Sequence, residues 1–323
     1  MYCQHFGFRE DPFGVSPDDR FFFAGSQHAE ASAALYYAIA QRRGFAVLIA
    51  PPGLGKSTVL VNLTARIASE ARVAFFVHPR FESASVLGSV LLAMGLEPEP
   101  DAVRRHRQLY AFLLDLLGRS KTCVVVFDEA QNLTAESLET IRMLSNFETP
   151  SQKLIQFVLA GQPGLANLLR APECEQTLQR VNIVARLQPL SATEIEQYIA
   201  HRLKVAGAPC NPFSASAVRA IATATKGVPR IVNTICFNAL TLAFAVGKRT
   251  VDAADIAEVL KDLSLGEPRP ASAPVQRRNK WRLPQARLRI RLPKNAPRAS
   301  VRPFFLAAAV FAFTLACAAL ITR

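Results

Sequence analysis

The stretch APPGLGKS, residues 50–57, has the residue types and the spacing of a loop that binds phosphate groups. Glycines let the backbone approach an anion closely, a lysine reaches the outer phosphates, and the next hydroxyl ligates Mg²⁺. Ala50 stands where glycine is usual, and its methyl group is tolerated if φ stays negative. Backbone donors begin at Gly53, because the two prolines have no N–H group. The predicted nucleotide-binding residues are Pro52, Gly53, Leu54, Gly55, Lys56, Ser57 and Thr58.

A pair of acidic residues follows in VVVFDEAQ, residues 124–131. An apolar strand that ends in Asp128 brings this carboxylate beside the phosphate loop, where it can hold Mg²⁺ through water. Ser57 is the other predicted metal ligand. Glu129 is placed to orient or deprotonate an attacking water, and it therefore predicts hydrolysis as well as binding. A strand edge that ends in solvated acids is the alternative, which the upstream phosphate loop disfavours.

Three further polar residues are candidates for contact with the nucleotide. Gln162 follows an apolar run in VLAGQP, where an ordinary turn residue is the alternative. Arg180 precedes another apolar run and could serve a neighbouring subunit, because γ-phosphate hydrolysis needs additional positive charge. Arg186 is its rival, and a surface salt bridge is the alternative. Arg230, in GVPRIVN, begins a predicted helix that aims its guanidinium at one place. The predicted catalytic residues are Lys56, Glu129, Gln162, Arg180 and Arg230.

Five apolar runs of strand length position these residues, and most are separated by stretches with helical spacing. Runs that are apolar on both faces predict a parallel sheet covered by helices on both sides. The runs cover residues 44–50, 72–77, 122–127, 154–160 and 181–187, and the helices between them cover 83–94, 102–117 and 134–147, with Thr134 as the preferred N-cap. We therefore predict an α/β fold, with a five-stranded P-loop domain over 44–189 after an N-terminal lead-in at 1–43.

The pattern changes to helices alone after Pro189. The predicted helices cover 192–206, 214–225, 229–246 and 253–263, with Asp252 capping the last, and glycines mark the breaks between them. We predict a small all-α lid domain over 190–265. Residues 266–302, rich in proline and in basic residues, are predicted to form a linker.

The net charge of +13 is concentrated in the last part of the chain. All 25 acidic residues lie at or before Glu267, whereas 12 of the 38 Lys and Arg residues lie from Arg269 onward, so the body is nearly neutral. Residues 303–322 carry no charge, and a helix over most of them rises about 27 Å, close to the thickness of a bilayer core. We predict a transmembrane helix at 303–322, with a buried core helix as the alternative. The preceding basic residues place the body in the cytoplasm, at the inner membrane, with residues 277–302 on an anionic membrane surface.

Several segments occur together in the order found in one protein family. They are PFGVSPDDRFFFAGSQHAEA, GFAVLIAPPGLGKST, FDEAQNL, LAGQPGL, the Arg180 segment LQRVNIVARL, and GVPRIVN. In this order the chain, over roughly residues 1–263, resembles the AAA+ ATPases of general secretion pathway protein A. Members of that family commonly continue past the membrane into a periplasmic peptidoglycan-binding region. No such region follows 303–322 here, so we expect a motor or switch that faces inward on a membrane anchor.

The resemblance implies roles for residues that match the family's motifs. Lys56 and Ser57 belong to Walker A, Asp128 and Glu129 to Walker B, Gln162 resembles sensor 1, Arg180 the arginine finger and Arg230 sensor 2. The cofactors it implies are ATP and Mg²⁺.

Two functions are compatible with these observations. The first is a homo-oligomeric, membrane-anchored ATPase that assembles or regulates an envelope secretion, pilus or polysaccharide-export system. The second is a DNA-binding ATPase that resembles transposition-helper or origin-recognition ATPases, which share this core. A nearly neutral body, and basic residues that adjoin a predicted membrane span, favour the first. A helicase, suggested by the letters DEAQ, is disfavoured because no paired second motor domain is present.

Overall fold

Five strands form one parallel sheet, as the apolar runs predict. They are β1 (Phe45–Ile49), β2 (Ala71–Val77), β3 (Thr122–Asp128), β4 (Ile155–Gly161) and β5 (Val181–Arg186), in the order β2-β3-β4-β1-β5. The computed structural model describes residues 1–14, 16, 18–79 and 86–263, all within the compact unit Met1–Glu267. The predicted linker at 266–302 and the predicted transmembrane helix at 303–322 lie outside the described residues. None of the helices searched, which are those of the described part, has the length and apolar character needed to cross a membrane.

Both faces of the sheet are covered, which explains why its central strands are apolar at most positions. Gln156 of β4 is an exception, and its side-chain oxygen accepts from the backbone N–H of Gly44. Phe45, Val47 and Ile49 of β1 belong to one core cluster, and Ala46 and Leu48 belong to another. Successive strand residues point to opposite faces, so the two clusters lie on opposite sides of the sheet. The first cluster includes residues of α4 (Val86–Ala93), α5 (Ala102–Gly118), α6 (Ala135–Leu144) and α7 (Pro163–Leu169). The second includes residues of α2 (Ser26–Ala40) and α3 (Lys56–Ile67), completing the predicted arrangement with helices on both faces.

Capping side chains fix where several helices begin. The hydroxyl of Thr134 accepts a hydrogen bond from the backbone N–H of Ser137, which confirms Thr134 as the N-cap of α6. This helix ends at Leu144, three residues before the predicted end. The Ser145 hydroxyl donates to the carbonyl of Arg142, and the chain then turns back through a short bridge between Glu148 and Lys153.

Four helices follow the sheet close to their predicted positions. They are α9 (Ala192–Val205), α10 (Ala215–Thr225), α11 (Pro229–Ala245) and α12 (Ala253–Leu263). Ser191 and Glu194 form a capping box at the start of α9, and the Asp252 carboxylate accepts from backbone N–H groups at the start of α12. The short helices α1 (Tyr2–Phe6) and α8 (Glu175–Leu178) are additional elements that the sequence pattern does not predict.

The N-terminal lead-in divides between the two parts of the fold. Phe6, Phe8 and Phe13 are buried in a cluster with residues of the four lid helices. In contrast, α2 packs against α3 and β1 on the sheet. The first 13 residues therefore extend the core of the helical lid, whereas the sequence pattern assigns them only to a lead-in of the nucleotide-binding part.

Candidate functional site

The phosphate loop connects the carboxyl end of β1 to the first residue of α3. Gly53 and Gly55 adopt φ values of 81° and 89°, in a region that residues with a side chain rarely occupy. Ala50 is absent from the residues with positive φ, so its methyl group is accommodated there, and it is fully buried. The chain therefore adopts the loop conformation that the motif requires despite the missing first glycine.

Two residues from distant elements support this loop. The N–H of Arg230, at the start of α11, donates to the carbonyl of Gly53 at 3.2 Å. A side chain at Gly53 would meet Val228 Cγ1 at 3.0 Å, so the lid packs directly on the loop. His28, which is buried on α2, places Nε2 2.8 Å from the carbonyl oxygen of Leu54. Because a carbonyl only accepts, Nε2 carries the proton, and the bond connects α2 to the phosphate loop.

The predicted metal ligands face each other across the end of the sheet. Ser57 donates its hydroxyl hydrogen to Asp128 Oδ2 at 2.6 Å, and Asp128 is almost fully buried at the end of β3. The Nζ of Lys56 lies 3.9 Å from the other carboxylate oxygen. A hydroxyl and a carboxylate are hard oxygen ligands of the kind that Mg²⁺ prefers, and Mg²⁺ takes its remaining ligands from water and phosphate. The residues present therefore fit the predicted ion.

Glu129 is the centre of a hydrogen-bond network. Its Oε1 accepts from Lys56 Nζ at 2.9 Å, and its Oε2 accepts from Gln131 Nε2 at 2.6 Å and from Gln162 Nε2 at 3.0 Å. Burial raises the pKa of Glu129, but the hydrogen bonds from these three donors outweigh it and lower the pKa to about 2. The carboxylate is therefore ionised, and both of its oxygens accept hydrogen bonds. The backbone of Glu129 has a φ of 55°, a conformation that non-glycine residues seldom adopt.

Gln131 is a member of this network that sequence reasoning did not identify. Its Oε1 accepts from the backbone N–H of Gln162 at 3.0 Å, so its amide connects the end of β3 to the end of β4. A methyl group at Gly161 would lie 2.7 Å from this oxygen, which explains the glycine there. The only signal in the sequence was its position three residues after Asp128, in a motif whose predicted roles fall on Asp128 and Glu129.

A cavity of about 480 Å³ brings most of the predicted site residues together. The phosphate end is lined by Pro52, Gly53, Gly55, Lys56, Ser57, Thr58, Glu129, Gln162 and Arg230. Asp128 lies behind Ser57, and Leu54 is directed into the core instead, with 1% of its surface exposed. His28 also lines the cavity, although a single histidine in a predicted helix carries no signature of phosphate binding.

The two candidate finger arginines lie at opposite ends of β5. Arg180 precedes Val181, which pairs with Phe45 at the start of β1, so Arg180 is at the edge of the sheet away from the phosphate loop. It does not line the cavity of its own chain. Arg186 pairs with Ile49 at the loop edge and lines a separate cavity of about 300 Å³ beside Pro51.

Known proteins share both the sequence and the fold. Residues 39–169 match the model of the AAA domain. General secretion pathway protein A of Aeromonas hydrophila is 35% identical over 272 residues, which are 82% of this chain and 49% of that protein. This chain is an AAA protein related to general secretion pathway protein A. It spans about half the length of that relative. The RuvB subunit of the Holliday junction branch migration complex from Treponema denticola is 24% identical over 75% of this chain and 66% of its own.

Solved structures show the same fold at lower sequence identity. Cdc6p from Pyrobaculum aerophilum superposes with a TM-score of 0.60 at 19% identity, over 80% of this chain and 72% of that one. The RuvB motor of Thermotoga maritima gives 0.54 at 18% identity, over 78% and 74%. The AAA protein described here therefore has the α/β P-loop-like fold that its motifs predict.

The low pKa of Glu129 predicts a pH-dependent contribution to stability. The folded-state pKa of about 2 lies below the ordinary 4.5, so the ionised carboxylate stabilises the fold above pH 4.5. This contribution is lost as the pH falls from 4.5 towards 2. We expect the difference in unfolding free energy between the wild-type protein and Glu129→Gln to shrink over this interval, measured by urea denaturation without nucleotide. Glu136→Gln, on the exposed start of α6, is the control, and an equal pH dependence for both variants would contradict the assignment.

Proposed function

We propose that this protein binds and hydrolyses ATP with Mg²⁺, using the cavity beneath the lid. The observation that carries the proposal is the convergence of Lys56, Ser57, Asp128 and Glu129 at one end of the sheet. An ammonium group, a hydroxyl and two carboxylates are the groups needed to hold a triphosphate and its metal and to position a water. Membership of the AAA proteins supports the same chemistry.

Nucleotide binding requires Lys56 to exchange partners. In the structure Nζ is bound to Glu129, and this same amine is the group that contacts the outer phosphates in a phosphate loop. Transfer of Lys56 to phosphate oxygens leaves Glu129 with the two amide donors of Gln131 and Gln162. Removing a cation from a carboxylate raises its pKa, so Glu129 becomes a better acceptor for a water proton only after the lysine has moved.

The other residues of the site would hold the magnesium ion and orient the nucleotide. Ser57 and Asp128 would carry the magnesium ion, which supplies positive charge to the phosphate oxygens. Gln162 lies beside Glu129, so a change in its contacts when the outer phosphate is bound or lost can shift the end of β4. Arg230 lines the cavity from the lid, where its guanidinium adds positive charge and closes α11 on the nucleotide.

Lys56→Ala tests binding, and Glu129→Gln tests hydrolysis. We expect Lys56→Ala to lose detectable ATP binding, because the amine that compensates the outer phosphates is removed. Glu129→Gln should keep ATP affinity within a few-fold and lose turnover by about 100-fold or more, the usual magnitude for loss of a general base. Isothermal titration and phosphate release measure the two properties. Lys121→Ala, on the surface before β3, is the matched control, and normal turnover by Glu129→Gln would refute its role.

We further propose that the active form is a homo-oligomer in which Arg180 completes a neighbour's site. Arg180 lies at the sheet edge away from its own cavity, so it cannot reach the nucleotide of its own chain. A guanidinium supplied from outside stabilises charge that develops during phosphoryl transfer. Arg186 is the rival because it lies beside the phosphate loop.

Mixing two inactive variants distinguishes these arginines. Arg180→Ala keeps an intact Glu129, and Glu129→Gln keeps an intact Arg180, so a mixed oligomer should regain ATPase activity at interfaces that join them. We expect recovery of a sizeable fraction of the wild-type rate from this mixture, measured as phosphate release across a range of mixing ratios. The same experiment with Arg186→Ala is the control. Recovery with Arg186→Ala, and none with Arg180→Ala, would reverse the assignment.

The biological role that we propose is in the cell envelope. Relatedness to general secretion pathway protein A supports an ATPase that assembles or regulates a secretion, pilus or polysaccharide-export system, with the components of that system as partners. The predicted span at 303–322 would anchor it in the inner membrane with the ATPase in the cytoplasm, and residues 277–302 would contact anionic lipid.

A second candidate function is a DNA-linked ATPase. The observation in its favour is the likeness to RuvB, a Holliday junction protein, and the fold shared with Drosophila ORC bound to DNA, at a TM-score of 0.59 and 16% identity. The nearly neutral charge of residues 1–268 speaks against it, because binding to the phosphate backbone of DNA depends on Lys and Arg.

Extraction of membranes tests the anchor. We expect the full chain to stay in the membrane pellet after washing with alkaline carbonate, because a spanning helix is held by the hydrocarbon core and not by charge. A chain that ends at Leu263 is the matched control and should appear in the supernatant. Release of the full chain by carbonate would refute the span, and its release by salt alone would show attachment through the basic residues only.

A further inference from the structure

The cavity continues past the phosphate groups into an end built by the lid and the N-terminal segment. This far end is lined by Gly14, Phe21, Phe22, Phe23, Leu190, Tyr198, Arg202 and Asn233. Three of these residues, Arg202, Tyr198 and Asn233, are joined by hydrogen bonds. Asn233 ends the segment GVPRIVN, in which only Arg230 was assigned a role, and the other two lie outside the quoted motifs. The order of these bonds determines which group Asn233 can offer to a ligand.

Arg202 is the buried start of this chain of bonds. Only 8% of its surface is exposed, and its guanidinium lies over the ring of Phe21, with Cζ 4.7 Å from the ring centroid. Its Nε donates to the carbonyl of Pro12, and Nη1 donates to the hydroxyl oxygen of Tyr198 at 3.1 Å. A guanidinium has no acceptor, so the direction of the bond to Tyr198 is fixed.

Tyr198 passes this direction on to Asn233. Its hydroxyl receives a hydrogen from Arg202 and must use its own single hydrogen elsewhere. The acceptor is Asn233 Oδ1, at 2.8 Å. Burial raises the pKa of Tyr198, which keeps the phenol protonated and able to donate.

The side-chain amide of Asn233 is therefore held in one of its two orientations. The oxygen is bound to Tyr198, so the NH₂ group is the part left to interact with a ligand. No hydrogen bond of Nδ2 is found among the described residues. A side-chain amide that can rotate freely presents either its NH₂ group or its oxygen to a ligand. The buried Arg202 fixes the orientation of the Asn233 amide through Tyr198.

We propose that Asn233 Nδ2 is the donor that recognises the base of the bound nucleotide, through a ring nitrogen of a purine. This inference rests on the proposed function. Asn233 lies three residues after Arg230, whose N–H is bound to the carbonyl of Gly53 in the phosphate loop. Three residues of helix advance about 4.5 Å, so Asn233 stands beyond the phosphate end of the cavity, on the same face of α11 as Arg230. Adenine ring nitrogens are acceptors, and an amide NH₂ group is complementary to them.

Tyr198 and Arg202 are positioning residues in this arrangement. Both line the cavity but are almost fully buried, and in this proposal they act on the base through the amide of Asn233. Tyr198→Phe would remove the hydroxyl and leave the ring in the core. The Asn233 amide could then rotate, and in a fraction of the protein molecules its Oδ1, instead of its NH₂ group, would face the base.

The test compares ATP with inorganic tripolyphosphate, which has no base or sugar. Binding of each is measured by isothermal titration for the full-length wild-type protein, Asn233→Asp and Tyr198→Phe. Asn233→Asp keeps an oxygen for Tyr198 and replaces the donor by an acceptor. We expect its affinity for ATP, relative to tripolyphosphate, to fall about tenfold, the scale of one lost hydrogen bond with repulsion between acceptors. Tyr198→Phe should show a smaller fall of about threefold in the same ratio.

The ratio separates recognition of the base from other effects. The negative charge added by Asn233→Asp weakens the binding of both ATP and tripolyphosphate, so its effect cancels in the ratio of the two affinities. Asn238→Asp, on the same helix outside the cavity, is the matched control. An unchanged ratio for Asn233→Asp would overturn the proposal. A fall that disappears when 2′-deoxyATP replaces ATP would assign the donor to the sugar and would also overturn it. Failure of the wild-type protein to bind ATP would refute the proposed function itself, a result distinct from either of these.

Discussion

The buried ammonium group of Lys56 is the interaction on which the arrangement of the site depends. Only 6% of this residue is exposed, and a cation removed from water requires oppositely charged partners. Asp128 and Glu129 supply them from the end of β3. The parallel sheet makes this possible, because it brings the carboxyl ends of β1 and β3 to the same edge. A nucleotide that binds here, as we propose, must therefore replace the internal ion pair between Lys56 and Glu129.

The sequence carries most of the information about the fold. The strand positions are predicted to within a residue or two. The three central strands are mostly apolar because both of their faces are buried, whereas the edge strands β2 and β5 also contain exposed residues. Helix starts such as that at Thr134 follow from local capping bonds. The packing of Phe6, Phe8 and Phe13 on the lid is not predictable in the same way. It joins residues that are about 200 positions apart, and neither periodicity nor capping reports such contacts.

The same distinction between local and distant interactions decides which site residues can be predicted from the sequence. Lys56, Ser57, Asp128 and Glu129 occur in two short motifs whose spacing reflects one loop and one strand end, and the structure brings them together. Gln131 and His28 are recognised only from contacts with β4 and with the carbonyl of Leu54. The tie between Arg202, Tyr198 and Asn233 likewise crosses from one lid helix to another. A single sequence shows the residue types at these positions and not the direction of their hydrogen bonds.

The attachment of Pro12 to Arg202 gives the beginning of the chain a mechanical meaning. The first residues are packed into the lid, and Arg202 fastens them beside the far end of the cavity. Rotation of the four lid helices away from the sheet must carry the amino terminus with it. A force applied at Met1 is consequently transmitted through this packing to the lid helices that line the cavity.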